Sequence, residues 1–235
     1  IPAGTSSLGK IASFWMGRLE VNNRQFAQFD PNHDSRNEDR HGYQFGVTGY
    51  PVNAPEQPVV RLSWQQADAF CRWLSETTGR KARLPSEAEW EWACRAGTTT
   101  DMNYGNVDAD FSQHANMADI TLHNFSCNPY VQDWKQAACN NPENIFDNWI
   151  PQIKSVDDGG FLSVTGGRYK ANAWGLHDMH GNVAEWTASP YSAGRKVVRG
   201  GSWYDRPKLC TSSFRRGYRD YQKVYNVGFR ILLEE

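Results

Sequence analysis

The residues best equipped for chemistry stand near the end of the chain, in RGGSWYDRPKLC, where Asp205 precedes Cys210 by five positions. A thiolate is a nucleophile and a soft metal ligand, and a carboxylate is a base or a hard ligand. Asp205 and Cys210 are therefore the candidates for catalysis. Ser202, Trp203, Tyr204, Arg206, Arg215, Arg219 and Asn226 are expected to line the same face as Asp205, and Tyr204, Asp205, Arg206, Tyr218 and Tyr221 make a mixed aromatic and charged rim. Such a rim suits recognition of a polar small molecule or a peptide and does not by itself imply catalysis.

A second group lies in GLHDMHGNVAE. His177 and His180 are three apart, which on a helix would place both imidazoles on one face. The flanking Gly175 and Gly181 argue instead for a turn whose histidines bond backbone. Hard oxygens fit this segment better. Asp178 and Glu185 supply carboxylates, and the turn can aim the carbonyls of Gly181 and Val183 inward, a donor set suited to calcium. The competing reading of Glu185 is a buried acid paired with Arg199 or Arg230. In DPNHDSRNEDRH, Asp30, Asn32 and Asp34 alternate like the start of an EF-hand loop. Position six is Ser35 rather than Gly and position twelve is His41 rather than Glu, which leaves a solvated loop.

Three helices are expected to position these residues. Asn22 with Gln25, Ser63 with Gln66 and Ser86 with Glu89 each have the spacing of a capping box. After them Phe26 and Phe29, then Trp64, Ala67, Phe70, Cys71 and Leu74, then Trp90, Ala93 and Cys94 recur at helical spacing. Gly79 and Gly97 offer stops. MGRLEV, PVVRLS, RKVVRGGSW and VGFRILL read as strands, whereas residues 98 to 170 show little periodicity. Loops that long need ions, disulfides or dense packing to hold them. No repeat or composition break divides the chain, so residues 1–235 are expected to form one α+β domain.

Composition narrows the function. The 235 residues carry a net charge of -1, without the basic excess that nucleic-acid binding needs. No apolar run reaches membrane-spanning length. The 13% aromatic content, with 20 Gly and 11 Pro, points to a compact fold rich in irregular backbone. Ile1 rather than Met stands first, which suggests a leader or further domain upstream. The cysteines number five, without a CxxC pair, so a cysteine-rich zinc site is not expected. Cys127 and Cys139 flank a loop that a disulfide could close, which leans toward an exported compartment, periplasmic or secreted, with a lipid anchor upstream as one route.

FWMGRLEVNNRQF, PVVRLSWQQADAFCRWLS, RLPSEAEWEWACRAG, NAWGLHDMHGNVAEWT, RKVVRGGSW and NVGFR, in this order, resemble the sulfatase-modifying-factor family, whose best-known member is the formylglycine-generating enzyme. The resemblance spans nearly the whole chain. It implies a variant of the C-type-lectin fold, and it covers copper and iron enzymes as well as ligand-binding proteins, so the site must decide. The copper enzyme's motif is GGS, two residues, Cys, four residues, Cys. Here the first position is Asp205 and the second is Cys210, and the segment from Ser202 to Arg215 is three residues shorter. A carboxylate beside one sulfur is a poor copper(I) site. The iron-dependent members use a histidine triad that is not seen here. The resemblance further implies a Cys94–Cys210 pairing and substrate contact by Ser202 and Asn226. It repeats the calcium loop at Asp178, Gly181, Val183 and Glu185. It also implies a second loop from Asn116, the Met117 carbonyl, Asp158 and the Gly160 carbonyl, with Asp157 as an alternative to Asp158. Three readings result: a calcium-stabilised binding domain, a copper- or iron-dependent oxidoreductase acting on a peptide or small thiol, and a structural subunit docking partner chains.

Overall fold

A computed structural model describes residues 1–36, 51–122, 153 and 155–235. Cys127, Cys139 and His41 lie outside the described residues.

All three capping boxes form. In α1 (Asn23–Phe26) Asn22 accepts the Gln25 N–H, in α2 (Trp64–Thr78) Ser63 accepts that of Gln66, and in α3 (Glu87–Arg95) Ser86 accepts that of Glu89. Each satisfies donors that the first helical turn leaves free. α2 ends at Gly79 in the left-handed region, and α3 ends one residue before its expected glycine, at Ala96 with φ 45°. α2 buries Ala67, Phe70 and Cys71, and α3 buries Trp90, Ala93 and Cys94.

The strands are short. β1 (Gly4–Ser6) and β2 (Gly9–Ile11) form a hairpin. β3 (Phe14–Met16) and β4 (Ala82–Arg83) both pair with β9 (Leu232–Glu234), antiparallel. β5 (Ala184–Ser192), β6 (Arg195–Arg199), β7 (Arg216–Arg219) and β8 (Val227–Gly228) form a sheet in the order β7-β6-β5-β8, with β5 and β8 parallel. The main core lies between α2 and this sheet, where Phe26, Phe70, Trp186 and Phe229 are buried together. The Phe26 and Phe70 rings stack at 5.6 Å.

The sequence expectation for strands needs correcting at three places. MGRLEV is no strand beyond Met16, because β3 covers Phe14–Met16 and the chain bends at Arg18 and Leu19. PVVRLS is no strand because Arg61 takes φ 58°, which turns the backbone out of extension while Val59, Val60 and Leu62 stay buried. β5, the longest strand described, was not expected. It contains Pro190, which sits at a shift of register against β6, where a missing N–H costs no ladder bond.

Candidate functional site

β6 ends at Arg199 and the chain turns through Gly200 and Gly201, both at positive φ (89° and 67°). A Cβ on Gly201 would overlap Cys210 Sγ and the Leu209 carbonyl, so only glycine lets the loop fold onto itself. The turn delivers Ser202 and Asp205 into the interior. Ser202 Oγ donates to Asp205 Oδ2 at 2.7 Å and accepts from Asn226 Nδ2 at 2.7 Å. Arg216 pairs with Asp205 Oδ1 at 3.3 Å and donates to the Tyr218 hydroxyl at 3.3 Å. Above them Trp203, Tyr204 and Tyr225 meet edge to face, and Arg206 is exposed.

The expected rim is thus partly assembled. Ser202, Asp205 and Asn226 are together and buried, with Tyr204 beside them. Arg215 is directed elsewhere, to Glu87 at the start of α3 (2.9 Å) and over the Tyr191 ring. The cation facing Asp205 is Arg216, which sequence reasoning missed. The alternation of RGYR in β7 was the available signal, since it puts Arg216 and Tyr218 on one face.

Cys210 is fully buried, its Sγ 3.7 Å from the Asp205 carbonyl, and burial first, then Asp205, pushes its thiol well above the ordinary range. The Cys94–Cys210 pairing does not form, and Cys71, Cys94 and Cys210 are free thiols. Cys94 faces His180 Nε2 (3.5 Å) and Ser212 Oγ (3.6 Å) instead, while Cys210 packs on Gly201, so the sulfurs have different neighbours. These residues do not fit copper. The motif position nearest the surface is a carboxylate already neutralised by arginine, and the remaining sulfur is a buried protonated thiol. The cavity between Asp205, Arg216, Tyr218 and Asn226 measures about 10 Å³, room for one water.

The two segments expected to bind calcium have a different character. Asp178 takes φ 56°, its Oδ2 accepts the Gly167 N–H at 2.6 Å, and its buried Oδ1 has no partner. Glu20, which sequence reasoning did not select, accepts from Asn182 through Oε1 (3.1 Å) and buries Oε2 without a partner. Burial, with the nearby Asp178 carboxylate, raises the Glu20 pKa well above the usual range, and burial raises that of Asp178. Two orphaned buried carboxylate oxygens suit a divalent cation, which Glu20 and Asp178 would hold. Glu185 is engaged differently: Arg230 binds both its oxygens (2.7 to 2.9 Å) and Trp90 Nε1 donates to Oε2 at 2.6 Å.

At the second loop Asp158 accepts the N–H groups of Met117 (2.9 Å) and Gly160 (2.7 Å), and its own N–H goes to Asp119 Oδ2. A Cβ on Gly160 would lie 2.8 Å from Asn116 Oδ1 and 2.9 Å from Asp158 Oδ1, so these two oxygens converge there. Burial, then Asp119, raises the Asp158 pKa to about 7. A bridge between Asn116 and Gly181 joins the two loops. Among the described residues no three His, Cys, Asp or Glu side chains gather around one point. Calcium does not require that, because amide and backbone oxygens serve as ligands.

His177 and His180 do not act together. His177 Nδ1 meets the Tyr169 carbonyl (2.8 Å). His180 is buried, with Nδ1 on the Cys210 carbonyl (2.7 Å) and Nε2 taking the Asn103 N–H (3.0 Å), which assigns the neutral Nδ1–H form. Burial lowers its pKa to about 4. The unfolded chain therefore takes a proton near pH 6.5 that the folded chain refuses. His180 should withdraw about 3 kcal/mol of stability as pH falls from about 6.5 to about 4. Urea unfolding of the native protein and of His180→Gln across that window measures it as a difference, in which opposing groups such as Asp158 cancel. Parallel pH curves would refute it.

A family model described as a sulfatase-modifying factor enzyme 1-like domain matches residues 6–235, and the chain belongs to that family. It is 33% identical over 187 residues to an inactive C-alpha-formylglycine-generating enzyme 2 of Mus musculus, covering 74% of this chain and 48% of that protein. It is 27% identical over 195 residues to a formylglycine-generating enzyme of Streptomyces coelicolor, covering 76% and 49%. The chain spans about half the length of these curated relatives. PvdO from Pseudomonas aeruginosa superposes with TM-score 0.68 at 21% identity over 98% of this chain and 83% of that one, a likeness of fold alone. The expected α+β architecture, that of the formylglycine-generating enzymes, is the one found.

Proposed function

We propose that this chain is a non-catalytic domain of its family, stabilised by calcium, that binds a peptide or partner protein on the face carrying Tyr204, Arg206, Arg216 and Tyr218. The observation that carries the reading is Asp205. Its carboxylate stands where soft-metal chemistry needs a thiolate, and it is already satisfied by Ser202 and Arg216. With room for a single water beneath, whatever binds must lie on the face rather than enter it. Aromatic and arginine side chains are the types that dominate protein recognition. The mouse relative is named as an inactive enzyme, which agrees with this reading. The reading extends to residues 1–235 as one domain. It also extends to an exported compartment, because calcium loops stay filled at the high calcium found outside cells.

The test combines two measurements. Elemental analysis after loading with copper(I), iron(II) and calcium should find calcium bound and neither transition metal in stoichiometric amount. No oxygen should be consumed in the presence of a cysteine-containing peptide. A displayed peptide library should yield binders whose affinity falls about tenfold or more in Tyr204→Ala or Arg206→Ala. Stoichiometric copper or iron with turnover would establish the oxidoreductase reading instead.

A further inference from the structure

A second concavity lies apart from the Asp205 face. The loop from Gly159 to Arg168, with Pro51 and Gln57, lines a cavity of about 450 Å³, a volume typical of small-ligand sites. The loop satisfies the N–H groups of Gly159, Gly160, Val164, Gly166 and Gly167 and leaves other donors over. Four of its carbonyls are occupied: Thr121 Oγ1 donates to Gly160 (2.8 Å), Asn116 Nδ2 to Leu162 (2.7 Å), Gln57 Nε2 to Ser163 (2.5 Å) and Asn182 Nδ2 to Val164 (3.3 Å). Several of its amides are not. The N–H groups of Leu162, Ser163 and Thr165 reach no acceptor among the described residues. The Ser163 hydroxyl, on a residue only 4% exposed, is also without a partner. Leu162 and Ser163 are buried and Thr165 is exposed; buried donors left in this way are rare, because each forfeits its hydration and gains nothing in return.

A cation stands beside these donors. Arg168 is exposed and forms no ion pair among the described residues. Its guanidinium lies over the Tyr169 ring, 5.7 Å from the centroid. Gly159 makes the room: at φ 75° it has no Cβ, and one would sit 2.7 Å from Arg168 Nη2. Ring and backbone therefore hold the guanidinium while its donors stay available. The neighbouring acids are tied to the loop's backbone. Asp158 and Asp178 take the N–H groups of Gly160 and Gly167, and Glu20 Oε2 lies 3.5 Å from where a Cβ on Gly166 would stand.

The geometry points to this loop as a receptor for a small anion, a carboxylate, sulfate or phosphate carried on a compact apolar body. The anion's oxygens accept from the Ser163 hydroxyl, the free loop amides and Arg168, and the body lies against Pro51 and Phe161. The site stands apart from the peptide reading, since it uses none of the residues on the Asp205 face.

Calorimetric titration with benzoate and phenyl phosphate, and with benzylamine as a cation of matched size, tests it at constant excess calcium. Both anions should bind and benzylamine should not. Arg168→Ala should weaken the anions about tenfold or more, as loss of a charge-assisted bond requires, and should leave peptide binding at Tyr204 unchanged. Ser163→Ala should weaken the anions several-fold yet raise the melting temperature of the ligand-free protein, because it removes an unsatisfied buried hydroxyl. The proposal is overturned if benzylamine binds as well as benzoate, if Arg168→Ala keeps full affinity, or if neither anion binds at up to about 10 mM.

Discussion

Arg230→Met should cost about 3–5 kcal/mol, the loss seen when a buried ion pair is left with one partner. Arg230 is fully buried and binds Glu185 with Nε and Nη2, while its remaining donors take the carbonyls of Gly17, Arg18 and His177. Its removal strands a carboxylate and three carbonyls in the interior, and strips Glu20 and Asp178 of the one arginine that offsets their repulsion. A domain of this kind is stable by about 5–15 kcal/mol in all, so the variant should lie near the threshold of folding. Lysine lacks the planar fork that spans Glu185 and the carbonyls, so Arg230→Lys should recover little. Urea midpoints measure both, and a loss below about 1 kcal/mol for either would contradict the pairing.

Calcium should give the next largest effect. At a concentration one hundred times its dissociation constant a ligand adds about 2.7 kcal/mol. For a chain of this size that raises the melting temperature by roughly 5–10 °C. The double variant Glu20→Gln/Asp178→Asn should abolish most of that response. In chelator it should be at least as stable as the native protein, because it removes two buried carboxylates that have no cation. Differential scanning calorimetry with calcium and with chelator separates the outcomes. If the double variant responds to calcium as the native protein does, Glu20 and Asp178 are not the ligands.

Local chemistry was legible wherever a short pattern fixed it. Ser63, Ser86 and Asn22 announced their helices because a capping box is complete within four residues. Gly200 and Gly201 were legible as a frame. Glu185 was readable as one partner of an arginine, and Arg230 is that arginine. What the sequence hid depended on contacts between distant segments. Glu20 meets Asp178 only through the fold, and nothing in its own neighbourhood marks it. Arg216 rather than Arg215 faces Asp205 because of where β7 begins, a boundary of one residue. Cys94 and Cys210 were paired by resemblance, but the sulfurs follow the packing of His180 and Gly201.

The pairing of β3 with β9 constrains how the molecule is made. Ser13 and Glu235, which hydrogen-bond beside that sheet, are 222 positions apart. A contact of such sequence separation carries a large loop-closure entropy and raises the contact order on which folding speed depends. On the ribosome, β3 and β4 wait for β9, and α3 waits with its apolar face partly uncovered until Leu232 arrives. The β5–β6 hairpin is closed by a turn at Gly194 and has no such delay. Structure should therefore begin around that hairpin, with the three-stranded sheet sealing last. During synthesis this domain stays exposed to chaperones until β9 has been made.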